Sequence, residues 1–212
     1  MTTPTPVLPQ VLEAITRRRA VHDFTPNDPV PDDVLKAVME ATRLAPTAYN
    51  IQNYRFVLVR DQKRKEALRA LSFNQPPVSE SSVVVVVCAA DDAWRQNPER
   101  YFKGMPAARA ESYIQDMMPA YFAQPNMPHD EGIRSGALGA MALMLAAQAY
   151  GLQSLPMTGI DFAAVGQFVK LPPNHQVVML VALGHQMAAP GPRLALLPYD
   201  EVVLEEAFPG AG

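Results

Sequence analysis

Five consecutive valines, Val83 to Val87, run into Cys88 and Ala89, and no other stretch narrows the fold as much. β-branched side chains are stiff at χ1 and favour a pleated strand. No polar residue interrupts the run, so neither face of that strand is suited to water. The chain must therefore lay structure on both sides of a sheet. Tyr54 to Arg60, Gly151 to Met157 and Gln176 to Leu183 are three further strand candidates. Helical patterns lie between them. Leu8, Val11, Leu12 and Ile15 mark one side of a first helix, from roughly Pro9 to Arg18. After Pro31, the residues Val34, Leu35, Val38, Ala41 and Thr42 keep a helical period, with Asp32 and Asp33 in the first turn and Pro46 as the stop. Asp61 is placed to cap a short basic helix reaching Leu71, and Asp161 to cap another that ends before Pro172-Pro173. Strands alternating with helices imply an α/β or α+β layered domain. With 212 residues, 49% of them hydrophobic, residues 1–212 suffice for a single domain with a sizeable core.

Two segments fit that scheme less simply. Residues 94–127 are rich in aromatics and methionine but weakly periodic, which suits a lid or a helical excursion. Asp130 to Tyr150 reads as a long helix carrying a strip of small residues, Gly132, Gly136, Gly139, Ala140 and Ala147. Small residues let backbones approach closely. The strip fits burial within the chain, and equally a helix at a homodimer interface.

Several function classes find no support. The formal net charge is -3 with no charged block, so neither nucleic acid nor an anionic membrane is favoured as a partner. The most apolar window, Ser135 to Tyr150, is shorter than the ~20 residues of a membrane span. Met1 to Gln10 lacks a signal-peptide pattern. One cysteine, Cys88, forms no intrachain disulfide and suits a reducing compartment. The expectation is a cytoplasmic protein. His22, His129, His175 and His185 show no metal-ligand spacing, and the hydrolase, Walker and dinucleotide motifs are missing. A chain without its own reactive constellation points to borrowed cofactor chemistry.

Arg17-Arg18-Arg19-Ala20-Val21-His22-Asp23-Phe24 places four cationic or titratable side chains within six residues. Alone, such a run at a helix C-terminus merely offsets the dipole. Downstream stands Ala45-Pro46-Thr47-Ala48-Tyr49-Asn50-Ile51-Gln52-Asn53-Tyr54, directly before a strand. Together these segments resemble the nitroreductase family of FMN-dependent oxidoreductases, with its R-R-S-x-R/K-x-F and A-P-S-x-x-N-x-Q patterns. Gly151-Leu152-Gln153-Ser154-Leu155-Pro156-Met157-Thr158-Gly159 is similar to the family's G-L-x-x-x-P-x-x-G. Leu183-Gly184-His185 and Pro190-Gly191-Pro192-Arg193 resemble its C-terminal L-G-[HY] and P-x-x-R. The likeness covers nearly the whole chain.

The resemblance implies a nitroreductase-like mixed central sheet flanked by helices, in an intertwined homodimer whose C-terminal extension, beyond about Asp200, embraces the partner. It implies tightly but non-covalently bound FMN at the interface and NAD(P)H as co-substrate. Arg18, Arg19 and His22 would hold the phosphate and ribityl chain, with Ala20 where the family has serine. A histidine there stabilises a reduced, anionic flavin only when protonated. Arg193 would contact the phosphate. Pro46, Thr47, Asn50 and Gln52 would reach the flavin from across the interface, and Asn74 would meet its pyrimidine edge. Pro156, Met157, Thr158 and Gly159 would lie along the isoalloxazine, with a backbone N–H near Thr158 and Gly159 facing N5. Ser135 is a further candidate contact from the second subunit.

The residues themselves also allow plainer roles: turn chemistry for Asn50 and Asn74, and a strand with its turn for 151–159. Trp94, Tyr101, Phe102, Tyr121 and Phe122 either flank an acceptor or pack as core or lid. The expected activity is ping-pong hydride transfer from NAD(P)H to a nitroaromatic, a quinone or a similar planar acceptor, with no side chain as catalyst. Two alternatives stand beside it: a flavin- or nucleotide-binding module without turnover, and the same scaffold running dehalogenation or flavin fragmentation.

Overall fold

The valine run becomes the second of four strands in the computed structural model, which describes residues 10–208. The strands are β1 (Tyr54–Val59), β2 (Val83–Ala90), β3 (Gln153–Met157) and β4 (His175–Gly184), in the order β1-β2-β4-β3. They pair antiparallel throughout. The parallel component expected of a mixed sheet is confined to an isolated bridge between Ala20 and Ser154.

Helices α1 (Gln10–Arg17), α2 (Asp32–Thr42), α3 (Gln62–Ala70), α4 (Pro76–Glu80), α5 (Ala107–Ser112), α6 (Met118–Phe122), α7 (Met127–Ala149), α8 (Phe162–Phe168) and α9 (Tyr199–Val202) complete the order. Asp61 and Asp161 are the expected caps, accepting from the N–H groups of Arg64 at 2.9 Å and Ala164 at 3.0 Å. The short helix α4 was not anticipated. Pro76 and Pro77 open it, at positions where a missing N–H has no intrahelical partner to lose.

Every residue of β2 is buried, and its alternation feeds two cores. Val84, Val86 and Cys88 join Leu68 of α3, Val78 of α4 and Val165 of α8 on one face. Val83, Val85, Val87 and Ala89 join Leu35 and Val38 of α2 and Leu143 and Ala147 of α7 on the other. An antiparallel strand usually keeps one wet face. Here helices cover both, which is why the run carries no polar residue.

Residues 93–122, which make up most of the 94–127 stretch, are helical in several short pieces. They mix 3₁₀ turns at Ala93–Arg95 and Pro98–Phe102, α5, a π-turn at Tyr113–Met117, and α6. Three helical pitches in one segment erase any single period, which accounts for the weak pattern. A third cluster of Ile51, Tyr101, Phe102, Met118 and Phe122 fills the space beneath it.

The small-residue strip of α7 seats that helix on its own sheet. A Cβ added at Gly136 would stand 2.7 Å from Val178, and one at Gly139 2.9 Å from Phe56. The opposite side of α7 exposes Ile133 and Leu138. The apolar side of α1 is likewise uncovered within the protomer, with Val11 63% exposed beside Leu12 and Ile15; Leu8 and Pro9 lie outside the described residues. Past β4 the chain runs over the surface with Leu194, Leu196, Leu197, Tyr199 and Val202 exposed. Among the described residues, no helix is long and apolar enough to cross a membrane.

Candidate functional site

One group of nominated residues gathers along the outer edge of β3. The segment after α1 reaches this edge because the Val21 N–H donates to Ser154 O at 3.2 Å, beside the Ala20–Ser154 bridge. Arg193 is brought to the same place. Thr25 N–H donates to His185 O and Met187 N–H to Asp23 O, which lace the chain leaving β4 to residues 23–25. Arg193 Nη2 then donates to Arg18 O at 2.8 Å and to Thr16 O at 3.0 Å. Arg18 and Arg19 are half-buried, and Ala20 and His22 are exposed. The Nε of Arg18 is buried with no hydrogen-bond partner.

Farther along the edge, the turn holding Asn74 is pinned to the loop that follows β3. Gln75 Nε2 donates to Gly159 O at 2.8 Å, and Asp161 N–H donates to Leu71 O at 2.9 Å. Arg69 fixes the turn from beneath, its Nε donating to Asn74 O at 3.0 Å. Phe73 and Asn74 both adopt left-handed backbone, with φ of 50° and 56°. Thr158 and Gly159 are exposed, Pro156 is half-buried and Met157 is buried. Gly159 is not left-handed. A Cβ there would meet Gln75 at 3.5 Å, an ordinary contact, so the chain's own packing does not require glycine.

From Ser154 to Gly159 this edge spans on the order of 17 Å at strand rise. It carries cations at one end and exposed backbone with an asparagine at the other. That layout suits an elongated ligand with an anionic head and a flat, polar tail.

The second group stands elsewhere. Thr47 Oγ1 accepts from Gln52 N–H at 3.0 Å, Gln52 Nε2 donates to Asn50 Oδ1 at 3.2 Å, and Asn50 Nδ2 donates to Tyr101 O at 2.9 Å. Pro46, Asn50 and Gln52 are exposed. This loop enters β1, which lies three strands from β3, about 14 Å across the sheet. It also sits at the other end of the strands: Tyr54 pairs Ala89, whereas Ser154 lies level with Leu183 and Val83. One protomer therefore keeps the two groups apart.

Ser135 belongs to neither group. It is 1% exposed, its hydroxyl has no partner, and its own protomer covers it. As placed, it is not offered to a second copy. Of the aromatic candidates, Tyr101, Phe102 and Phe122 are buried in the satellite core, while Trp94 and Tyr121 are half-buried. Packing is the main task of this set.

Sequence reasoning missed Phe73, Gln75 and Arg69. Phe73 is 74% exposed and lies beside Gly159. A bulky residue held left-handed and left in solvent is an uncommon combination. Only its position next to Asn74 hinted at this. Gln75 and Arg69 act through hydrogen bonds that link distant segments, for which a linear sequence has no sign.

A sequence model of the nitroreductase family matches residues 15–185. Protein DrgA of Synechocystis is 34% identical over 187 residues, covering 88% of this chain and 89% of that one. A Thermus thermophilus protein named NADH dehydrogenase is 37% identical over 202 residues, covering 92% and 96%. Among solved structures, one from Exiguobacterium sibiricum, determined in complex with FMN, superposes with a TM-score of 0.83. It is 24% identical and covers 95% of this chain and 98% of its own.

Proposed function

This chain belongs to the nitroreductase family, and on that premise we propose that it is a homodimeric, FMN-dependent oxidoreductase that takes hydride from NAD(P)H and passes it to a planar acceptor. The observation that carries the reading is the orphaned Nε of Arg18. A buried guanidinium donor without an acceptor is costly. It lies where Arg193 adds a second cation, at the head of an edge that leads to Asn74 and Gly159. A phosphate supplies the missing acceptor with the fork geometry arginine prefers, so the residues present fit FMN.

When bound, FMN supplies the hydride chemistry. The chain's residues bind and orient it. Arg18 and Arg193 grip the phosphate, with Arg19 and His22 nearby, and Ala20 leaves one hydroxyl contact unmade. Asn74 and the backbone of Thr158 and Gly159 address the ring, and Gly159 leaves room for it. NAD(P)H would supply the hydride to bound FMN, and a nitroaromatic, quinone or similar acceptor, using the same place in turn, would receive it from there.

The Pro46–Gln52 loop completes the site from a second copy. Two observations support this: the distance separating the two groups within one protomer, and the uncovered apolar sides of α1, α7 and the C-terminal segment. Each protomer acts as one domain. The lone buried thiol of Cys88 and the absence of a membrane-spanning helix among the described residues accord with a cytoplasmic enzyme.

The visible spectrum of freshly purified protein, followed by that of the supernatant after heat denaturation, tests the proposal. Release of FMN, together with NAD(P)H oxidation that depends on added quinone, is the expected result. A colourless protein that binds no added FMN overturns it. A flavin that NAD(P)H fails to reduce points instead to a binding module.

A further inference from the structure

Tyr49, Asn50 and Gln52 all hold left-handed backbone, with φ of 51°, 56° and 43°. None is glycine, and each such residue carries a conformational cost that its surroundings must offset. The surroundings here are the aromatic excursion. The ring of Tyr49 stands edge-on to Tyr113 at 5.8 Å and to Tyr121 at 5.6 Å, and tilted against Phe122 at 6.4 Å. Asn50 Nδ2 donates to Tyr101 O at 2.9 Å, and Ile51 is buried in the same cluster. The loop therefore leans on the excursion as well as on its own bonds, from Gln52 N–H to Thr47 Oγ1 and from Gln52 Nε2 to Asn50 Oδ1.

A side-chain bond ties that excursion to the frame. Tyr121 on α6 donates its hydroxyl to Oε1 of Glu131 at 2.9 Å, and Arg134 Nη1 reaches the same oxygen at 2.7 Å. Glu131 is only 6% exposed. It lies near the start of α7, the helix whose glycine strip is seated on the sheet. A buried carboxylate that loses one of two donors is left under-satisfied, an expensive state. Burial, reinforced by the bond to Glu131, raises the pKa of Tyr121 above its ordinary value and keeps the hydroxyl a donor.

We propose that Tyr121 is a positioning residue: its hydroxyl latches the excursion to α7 through Glu131, and thereby holds the strained Tyr49–Gln52 loop in the conformation that turnover needs. The inference rests on the function proposed above for the reaction it serves, but not for the latch itself. The phenol ring supports Tyr49 and the hydroxyl anchors the ring, so the two ends of one side chain connect α7 to a loop on a different part of the fold.

Amide hydrogen exchange of full-length wild-type protein and of Tyr121→Phe, as purified, separates these statements. The variant keeps the ring and loses only the hydroxyl. Exchange at residues 47–53 and 93–122 should quicken about tenfold or more, the range for a lost hydrogen bond to a charged group. In the FMN-loaded enzyme, KM for NAD(P)H and KM for the acceptor, which use the same place in turn, should each rise several-fold. Tyr113→Phe is the control, because its hydroxyl meets only the exposed Arg109 at 3.3 Å; it should match wild type in both measurements. If Tyr121→Phe does not fold, Glu131→Gln, which keeps an acceptor but removes the charge, should show the same pattern at smaller size. Wild-type exchange at 47–53 in a folded variant overturns the latch. Quickened exchange with both KM values unaltered overturns its link to turnover. Wild-type protein without flavin defeats the function proposed above, yet leaves the exchange comparison intact.

Discussion

Replacing Gly136 with alanine adds one methyl group where α7 lies closest to the sheet. The new Cβ would stand 2.7 Å and 2.9 Å from the two methyl carbons of Val178 and 3.0 Å from its Cβ. Carbon atoms settle at about 3.5–4.0 Å. Val178 cannot swing aside, because a β-branched side chain in a strand has few χ1 choices and all three of its carbons are crowded. The helix must lift instead, loosening Leu143 and Ala147 against β2 and β4. Overpacking of this kind costs about 1–3 kcal/mol, and the better helix propensity of alanine recovers about 1 kcal/mol. With a clash on rigid neighbours at the upper end of that range, the net loss should be about 2 kcal/mol, a fall of about 4–8 °C in Tm for a chain of this size. Thermal unfolding at one fixed protein concentration, on wild type, Gly136→Ala, Val178→Ala and the double variant, provides the assay. Val178→Ala removes both clashing methyls, so the double variant should be about as stable as Val178→Ala alone, a coupling of about 2 kcal/mol. Gly191→Ala, with nothing within 4 Å of its new Cβ, should leave Tm within about 1 °C of wild type. A Gly136→Ala protein as stable as wild type, or additive effects in the double variant, would refute the seating of α7 described above.

Two further outcomes follow from the structure. Arg193→Ala removes the donor that meets Arg18 O and Thr16 O together with one cation of the proposed phosphate grip. FMN binding, measured by fluorescence titration, should weaken about 10–100-fold, the worth of charge-assisted bonds, and an unchanged Kd would take Arg193 out of the site. Burial pushes the Cys88 thiol from 9.0 up to about 11, so thiol reagents at pH 8 should react only after unfolding. Between those two pH values the unfolded chain releases this proton while the folded one retains it, so stability falls as pH rises. Urea midpoints should drop more steeply over that window for wild type than for Cys88→Ala, and parallel curves would contradict the assignment.

Much of the fold was legible in the sequence because its signals are local. The four strands, the caps at Asp61 and Asp161, and the long helix each depend on hydrogen bonds and side-chain periods within a few residues. The weakly periodic 94–127 segment was open for a physical reason, since 3₁₀, α and π turns alternate within it. The helix α4 hid behind a proline pair that reads equally as a turn. In the site, the motifs named Arg18, Asn74, Gly159 and Arg193, which the structure lines up along one edge. They also named Ser135, which lies buried in its own protomer, and they overlooked Phe73, Gln75 and Arg69.

The sequence by itself determined that β2 would be covered on both faces, since seven consecutive apolar residues from Val83 to Ala89 leave no side for water. It also nominated the loops proposed to carry a cofactor, since those loops resemble the family's motifs. Tertiary structure alone decided the strand order β1-β2-β4-β3, and with it the separation of Arg18, Asn74 and Gly159 from the Asn50–Gln52 loop by the width of the sheet. It alone turned the glycines of α7 toward Val178 and Phe56, and joined Tyr121 to Glu131. The reason is that strand order and helix seating are set by which apolar faces cover one another across long chain separations, and that choice leaves no periodic mark on any single segment.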